Sequence, residues 1–282
     1  MQLLDGKSLS IKIKKELKEK VKKLEKYHII PHLAVILVGD NPASITYVNN
    51  KRKACELCGI KSSFYHLDTN TTQEELLKLI KDLNDDNTLD GILVQLPLPT
   101  HINKDIILQS IDSLKDVDGF HPFNIGLLEL GLKDGFIPCT PLGIIELLNH
   151  YNISVDGLNA VMIGASNIVG RPMTSMLLNL GATVSICHIK TKDLSLYTKS
   201  ADLIIIATGC PGLLKADMIK EGAIIIDVGI NKINGKIIGD VDFDNVSKKS
   251  SYISPVPGGV GPMTIAMLLS NTIKSAYKRL KA

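Results

Sequence analysis

Four short aliphatic runs, at residues 160–163, 183–187, 203–207 and 223–227, constrain the second half of this chain more than any other feature. Each ends in glycine or a polar residue, and helical segments separate most of them. Apolar runs of this length without alternation suit strands buried on both faces, and strands of that kind belong to parallel sheets covered by helices. Parallel neighbours need a crossover connection, so the pattern predicts βαβ units wound into a doubly wound sheet. The first half alternates in the same way. A strand at 32–38 ends in Gly39-Asp40-Asn41-Pro42, a helix follows over 43–58, then a strand near 61–66, a helix near 72–83 and a strand at 91–96. The fold class predicted is therefore α/β.

At 282 residues the chain is close to twice a typical domain of ~150, so it is expected to hold two domains or one large α/β unit. A stretch of breakers without strong periodicity, Pro122, Gly126, Gly131, Gly135 and Pro138, marks the first boundary just after Asp118-Gly119. The first domain is expected to span 1–119. A helix is expected to start at Thr140-Pro141, opening a second domain of 140–262, and the loop at 254–261 leads into a last helix at 262–280.

Composition removes several function classes. Lys and Arg number 32 against 29 Asp and Glu, a net charge of +3, too small to nominate nucleic acid as partner. With 5 Phe, 7 Tyr and no Trp there is little with which to build a base-stacking platform. No window approaches the ~18 apolar residues of a membrane span, and the start of the chain lacks a signal-peptide core, so a cytoplasmic protein without a membrane partner is expected. Five cysteines, an odd number, suit reduced thiols. Cys55 and Cys58 form a Cys-x-x-Cys pair, but no second ligand pair lies nearby, so packing is the reading preferred over zinc or redox chemistry and no metal is expected. Residues 7–26 hold nine Lys and three Glu, with Ile13, Leu17, Val21 and Leu24 on one helical face, which reads as a solvated outer helix.

Chemistry concentrates in a few places. The segment from Val161 to Pro172 runs from a strand through Gly164, Ala165 and Ser166 into a helix at Gly170, and a dinucleotide pyrophosphate would sit there, on backbone N–H groups at a helix start. It departs from G-x-G-x-x-G, with Ser166 in place of the second glycine and a longer spacing to Gly170. The end of the following strand, Cys187-His188-Ile189-Lys190-Thr191-Lys192, has no acid for a ribose hydroxyl and offers two lysines. With Arg171 near the helix start, that favours the 2′-phosphate of NADP over NAD.

Ser44, Tyr47 and Lys51 share one face of the early helix, where a desolvated lysine could move protons. Gln95 closes an otherwise aliphatic strand at the end where α/β proteins bind ligands. Asp116 and Asp118 stand together at the end of the first domain, and the loop from Pro255 to Thr264 is poor in side chains, as a close approach to a flat ligand requires.

Taken together, these motifs resemble the bifunctional methylenetetrahydrofolate dehydrogenase/cyclohydrolase family. The resemblance runs through Leu4-Asp5-Gly6-Lys7, Val38 to Ser44, Tyr47-Val48-x-x-Lys51, Val94-Gln95-Leu96-Pro97-Leu98-Pro99, Asp116-Val117-Asp118-Gly119, Pro138-Cys139-Thr140-Pro141, Gly164-Ala165-Ser166 and the loop from Pro257 to Thr264, so it covers essentially the whole chain. It implies an N-terminal βαβ catalytic domain completed by the C-terminal helix at 263–282, a Rossmann-like NADP-binding domain, and a homodimer acting on tetrahydrofolate derivatives. By position it implies Lys51 as general acid/base, Tyr47 stacking on the pterin, Gln95 tuning Lys51 and Asp118 holding the pterin amino groups. Gly258, Gly259 and Val260 would line the folate cleft, while Gly164, Ala165, Ser166, residue 189 and Ile230 would contact NADP. The family often has Ser or Arg at position 189, and here Ile189 leaves only backbone for that contact. The alternatives are an amino-acid or shikimate-type dehydrogenase, whose substrate motifs are not found, and an NADP-binding regulatory protein, against which the intact Tyr47, Lys51, Gln95 and Asp118 argue.

Overall fold

The computed structural model describes residues 1–280. In chain order the elements begin β1 (Gln2–Leu3), α1 (Gly6–Glu25), β2 (His32–Val38), α2 (Pro42–Cys58), β3 (Lys61–Leu67), α3 (Gln73–Asp85), β4 (Gly91–Val94), α4 (Lys104–Ser110), α5 (Pro122–Glu129) and α6 (Cys139–His150). They continue β5 (Asn159–Ile163), α7 (Gly170–Asn179), β6 (Thr183–Cys187), α8 (Ser195–Thr198), β7 (Leu203–Ile206), β8 (Ile224–Asp227), β9 (Asn231–Ile233), β10 (Lys236–Ile238), α9 (Phe243–Val246), β11 (Tyr252–Ile253) and α10 (Val260–Arg279). The chain divides into two compact units, one of 1–10, 128–132 and 140–264, the other of 11–127, 133–139 and 265–282.

The second of these is built on a parallel sheet of order β3-β2-β4. All seven residues of β2 are buried and so are all four of β4, whereas β3, at the edge, keeps a polar, partly exposed Lys-Ser-Ser-Phe-Tyr-His-Leu sequence. Helix boundaries follow local chemistry. The Asn41 side chain accepts from the backbone N–H groups of Ala43 and Ser44 at the start of α2, Pro42 takes the first turn, and Gly59 at φ 77° ends it in the left-handed region. Thr72 and Glu75 form a reciprocal capping box on α3. Leu76, Ile80 and Leu83 of that helix pack against Ala34, Ile36, Ile92 and Val94 of the sheet.

The other unit holds a six-stranded parallel sheet of order β1-β11-β8-β7-β5-β6. The chain leaves β5 for β6 on one side and then crosses to β7 and β8 on the other, so the order reverses between β5 and β7. Ligands of open α/β sheets bind at that reversal, beyond the carboxyl ends of the strands. Val161, Ile163, Ile204, Ile206 and Ile225 give the sheet one of its buried faces.

The structure departs from the sequence expectation in three places. Residues 1–10 fall in the unit of the six-stranded sheet, where the boundary at 119 had placed them with the first domain, because β1 pairs with β11 and Leu4 donates its N–H to the carbonyl of Ile253 at 2.9 Å. The breaker-rich stretch contains α5, with Pro122 at its first position, where a missing N–H costs nothing, and Gly126 inside it. The β9–β10 hairpin and the two-residue strands β1 and β11 are too short for a periodicity to reveal.

Candidate active site

In the unit of the three-stranded sheet, α2 presents Ser44, Val48 and Lys51 to the interior, with Tyr47 half-buried beside them. Lys51 is only 8% exposed, an unusual place for an ammonium group. Its Nζ donates to Oε1 of Gln95 at 3.0 Å, one residue beyond the end of β4, and Nε2 of Gln95 donates to the carbonyl of Leu96 at 2.6 Å. That second bond fixes which end of the amide faces the lysine. Burial pushes the pKa of Lys51 below the ordinary lysine value, and the charge of Asp118 offsets part of the shift. Asp118 moves the other way: burial raises its pKa, against the attraction of Lys51 and a hydrogen bond with Cys139. Burial also raises the Tyr47 phenol. The group therefore contains a lysine biased toward its neutral form, a carboxylate beside it, and a glutamine that accepts from the lysine Nζ in either protonation state.

The two aspartates that the sequence placed together do different work. Asp116 is 1% exposed and accepts from the backbone N–H groups of Gly119 and His121 and from Nδ2 of Asn124, so it holds the turn that carries Asp118. Sequence reasoning passed over Asn271, a buried amide on α10 that donates to the carbonyls of Val117 at 2.9 Å and Ile137 at 3.1 Å. It thereby ties together the segments bearing Asp118 and Cys139. A Ser-Asn-Thr triplet interrupting the aliphatic face of α10 was the available signal. Cys55 and Cys58 are buried thiols, Cys55 pushed up to about 12 by burial, and they serve as packing. Among the described residues no cluster of three or more His, Cys, Asp or Glu could hold a metal ion.

In the other unit, Gly164, Ala165 and Ser166 form the turn between β5 and α7 at the reversal of strand order. A Cβ at Gly164, whose φ is 118°, would come within 2.3 Å of the carbonyl oxygen of Ala207, and one at Gly170 within 1.9 Å of that of Gly164. The turn is thus closed on its inner side and bare of large side chains. Ser166 is exposed, and its Oγ accepts from the N–H groups of Val169 and Gly170. Arg171 and Lys190 are exposed, Ile189 is 95% exposed, and no acid occurs from Cys187 to Lys192. The helix-start N–H groups are thus taken up within the turn, and it is the exposed Ser166 hydroxyl with the Arg171 and Lys190 cations that fit a phosphate-bearing dinucleotide. Gly258, Gly259 and Val260 also lie in this unit. Gly258 has φ 112° and accepts from the N–H of Lys7, and Gly6 packs so closely that a Cβ on it would sit 1.9 Å from the carbonyl oxygen of Gly259. Ile230, 49% exposed, follows β8.

Two family models match the chain: the catalytic domain of tetrahydrofolate dehydrogenase/cyclohydrolase over residues 4–118, and the NAD(P)-binding domain of the same enzymes over 138–280. The chain is 70% identical over 281 residues to the bifunctional protein FolD of a Campylobacter jejuni strain, covering 99% of this chain and 100% of that protein. It is also similar to the crystal structure of the Campylobacter jejuni bifunctional FolD methylenetetrahydrofolate dehydrogenase/cyclohydrolase, with a TM-score of 0.98, 69% identity and 99% of each chain covered. A Trypanosoma brucei methylenetetrahydrofolate dehydrogenase-cyclohydrolase, solved with NADP and an inhibitor, matches with a TM-score of 0.95 and 38% identity, covering 99% of this chain and 98% of that one.

Proposed function

Because this chain belongs to the tetrahydrofolate dehydrogenase/cyclohydrolase family, we propose that the group around Lys51 performs the hydrolytic half of its chemistry and that the Gly164–Ser166 turn holds its cofactor. The chain is a bifunctional enzyme of one-carbon metabolism, an NADP-dependent methylenetetrahydrofolate dehydrogenase and methenyltetrahydrofolate cyclohydrolase. NADP, which the Gly164–Ser166 turn would hold, would supply the acceptor for the hydride of the one-carbon bridge of 5,10-methylenetetrahydrofolate. That step asks the protein for orientation more than for proton transfer, since the cation left on the substrate is shared by two nitrogens.

Hydrolysis asks for more. Water adds to the methenyl carbon and loses a proton to give a neutral hydroxyl adduct. One carbon–nitrogen bond then breaks as the departing nitrogen gains a proton and the remaining O–H proton leaves to solvent, forming the formyl C=O of 10-formyltetrahydrofolate with net release of one proton. Lys51 is the group assigned to these transfers. Its neutral form takes the proton from water and its charged form returns one to the nitrogen. The observation that carries the assignment is the buried Lys51 held at 3.0 Å by Gln95 next to Asp118. Gln95 orients the ammonium, Asp118 is assigned to the pterin amino groups, and Tyr47 to the face of the pterin. Gly258, Gly259 and Val260 are assigned to the folate, where bare backbone allows close approach. Ala165 and Ser166 are assigned with Gly164 to the pyrophosphate, Arg171 and Lys190 to the 2′-phosphate, and Ile230 and the backbone of Ile189 to the rest of NADP.

Two further parts of the reading concern setting. The free state of all five cysteines supports a cytoplasmic location. For a homodimer the support is the outer edge of β6, which pairs with no further strand among the described residues and is flanked by exposed Leu178, Leu180 and Ile186 in the same unit, since an edge with apolar neighbours invites a second copy. A spectrophotometric assay with 5,10-methylenetetrahydrofolate and NADP tests the dehydrogenase, and loss of methenyltetrahydrofolate absorbance tests the hydrolase. The assignment predicts both signals in the native enzyme and only the first in Lys51→Met. Hydrolysis retained by that variant would remove Lys51 from the role.

A further inference from the structure

Beyond β7 and β8, on the far side of the strand reversal from Lys190, lies a buried carboxylate that none of the chemistry above uses. Asp240 is 0% exposed, and among the described residues no lysine or arginine forms an ion pair with it. Its charge is met by uncharged donors alone. Oδ2 accepts from the backbone N–H of Thr208 at 2.7 Å, from Oγ1 of Thr208 at 2.9 Å and from the N–H of Gly209 at 2.9 Å, all in the turn that leaves β7. Oδ1 accepts from Nδ2 of Asn231 at 2.8 Å, at the base of the β9–β10 hairpin and next to Ile230.

Asp240 is itself clamped. Asp227, the last residue of β8, accepts from the N–H groups of Asp240 and Val241 at 3.0 Å each and from that of Gly229 at 2.9 Å, and its own N–H donates to Oγ of Ser254 at 2.8 Å. There is no slack in this node: a Cβ on Gly229 would lie 2.3 Å from the Asp240 carboxyl carbon, and one on Gly239 would lie 1.9 Å from Oδ2 of Asp227. A buried charge without a counter-ion is expensive to keep, and an arrangement that satisfies it with four donors from two separate loops fixes those loops against each other.

A dinucleotide lies across a strand reversal with one mononucleotide half on each side. With Arg171 and Lys190 assigned to the 2′-phosphate, the adenosine half belongs toward β6 and the nicotinamide half toward β7 and β8. We propose that Asp240 is a positioning residue for the nicotinamide half of NADP, locking the Thr208–Gly209 turn and the Asn231 hairpin base as the two rims of that half-site. The inference rests on the cofactor reading above and adds to it a residue that does not itself touch the cofactor.

The test separates the two halves of the ligand. Binding of NADP and of 2′,5′-ADP, which carries the adenosine half alone, is measured by calorimetry on the intact enzyme for the native chain, Asp240→Asn and Asn231→Leu. The asparagine keeps one acceptor for three donors and removes the charge, and the leucine removes only the hairpin arm. The expected result is NADP binding weakened about tenfold in Asp240→Asn, equivalent to about 1.4 kcal/mol, and several-fold in Asn231→Leu, with 2′,5′-ADP affinity unchanged in both. Unchanged NADP affinity in a folded Asp240→Asn overturns the proposal. So does equal weakening of both ligands, which is what a merely structural role would give. If Asp240→Asn does not fold, Asn231→Leu decides by the same comparison. Failure of 2′,5′-ADP to bind even the native enzyme would instead overturn the underlying assignment of the adenosine half.

Discussion

The ammonium of Lys51 and the amide of Gln95 are joined at 3.0 Å, with the amide held in place by the carbonyl of Leu96. Its orientation makes Gln95 an acceptor toward the lysine, and a carboxylate in its place would accept in the same position while adding a charge. Gln95→Glu is expected to raise the pKa of Lys51, since a negative neighbour favours the charged form. The limb of the cyclohydrolase pH profile that reports Lys51 should move to higher pH by about one unit or more. A limb that stays in place would show that a different group titrates.

Lys51→Met is expected to lower hydrolysis of the methenyl compound by about 10²–10⁴-fold, the usual contribution of a positioned acid/base. NADP affinity should remain near that of the native enzyme, and calorimetry on the variant checks it.

Burial raises the pKa values of both Asp116 and Asp227 to about 6, even though each accepts several N–H groups. A carboxyl group whose folded pKa exceeds its unfolded value binds protons more readily when folded. Its protonation therefore stabilises the fold as pH falls from about 6 toward the unfolded value near 3.8, and that contribution is lost as pH rises back through the window. Carboxyl carbon resonances of these two residues should titrate near 6 by NMR. In urea unfolding, Asp116→Asn should lack its share of the pH dependence between 4 and 6, on the order of a few kcal/mol.

Two glycine substitutions are expected to act in opposite directions. Gly126 lies inside α5 with nothing within 4 Å of its would-be Cβ, so Gly126→Ala should stabilise by about 0.5–1 kcal/mol. Gly6→Ala drives a methyl into the backbone of Gly259 and should lower the melting temperature and raise the folate KM together. Scanning calorimetry and initial rates on both variants test the pair, and a native folate KM in Gly6→Ala would count against the assignment of Gly259.

If copies of the chain join at the β6 edge, Ile186→Lys should shift the sedimentation coefficient toward that of the 30.7 kDa monomer. A native profile in that variant would point to another surface.

The sequence made much of this legible because its strongest signals were local. Continuous aliphatic runs announced β2, β4, β5, β7 and β8, and Asn41-Pro42 with Gly59 bracketed α2. The spacing of Ser44, Tyr47 and Lys51 put them on one face before any packing was known. What stayed hidden depends on residues far apart in the chain. Asn271 earns its place by reaching Val117 and Ile137, and Asp240 by reaching Thr208 and Asn231, and no short-range pattern encodes either meeting. The short strand β1 has two residues and an obligatory partner near the other end of the chain.

That pairing has a consequence for how the protein is made. Gln2 and Leu3 are synthesised long before their partners in the sheet, Tyr252 and Ile253. The other unit waits as well, because it includes residues 265–282. The six-stranded sheet can therefore take up β1 only once residue 253 has been made, and the unit of the three-stranded sheet is completed later still, by α10 residues beyond 264, so the unit whose strands β2 to β4 are made before β5 to β8 is the last to be finished.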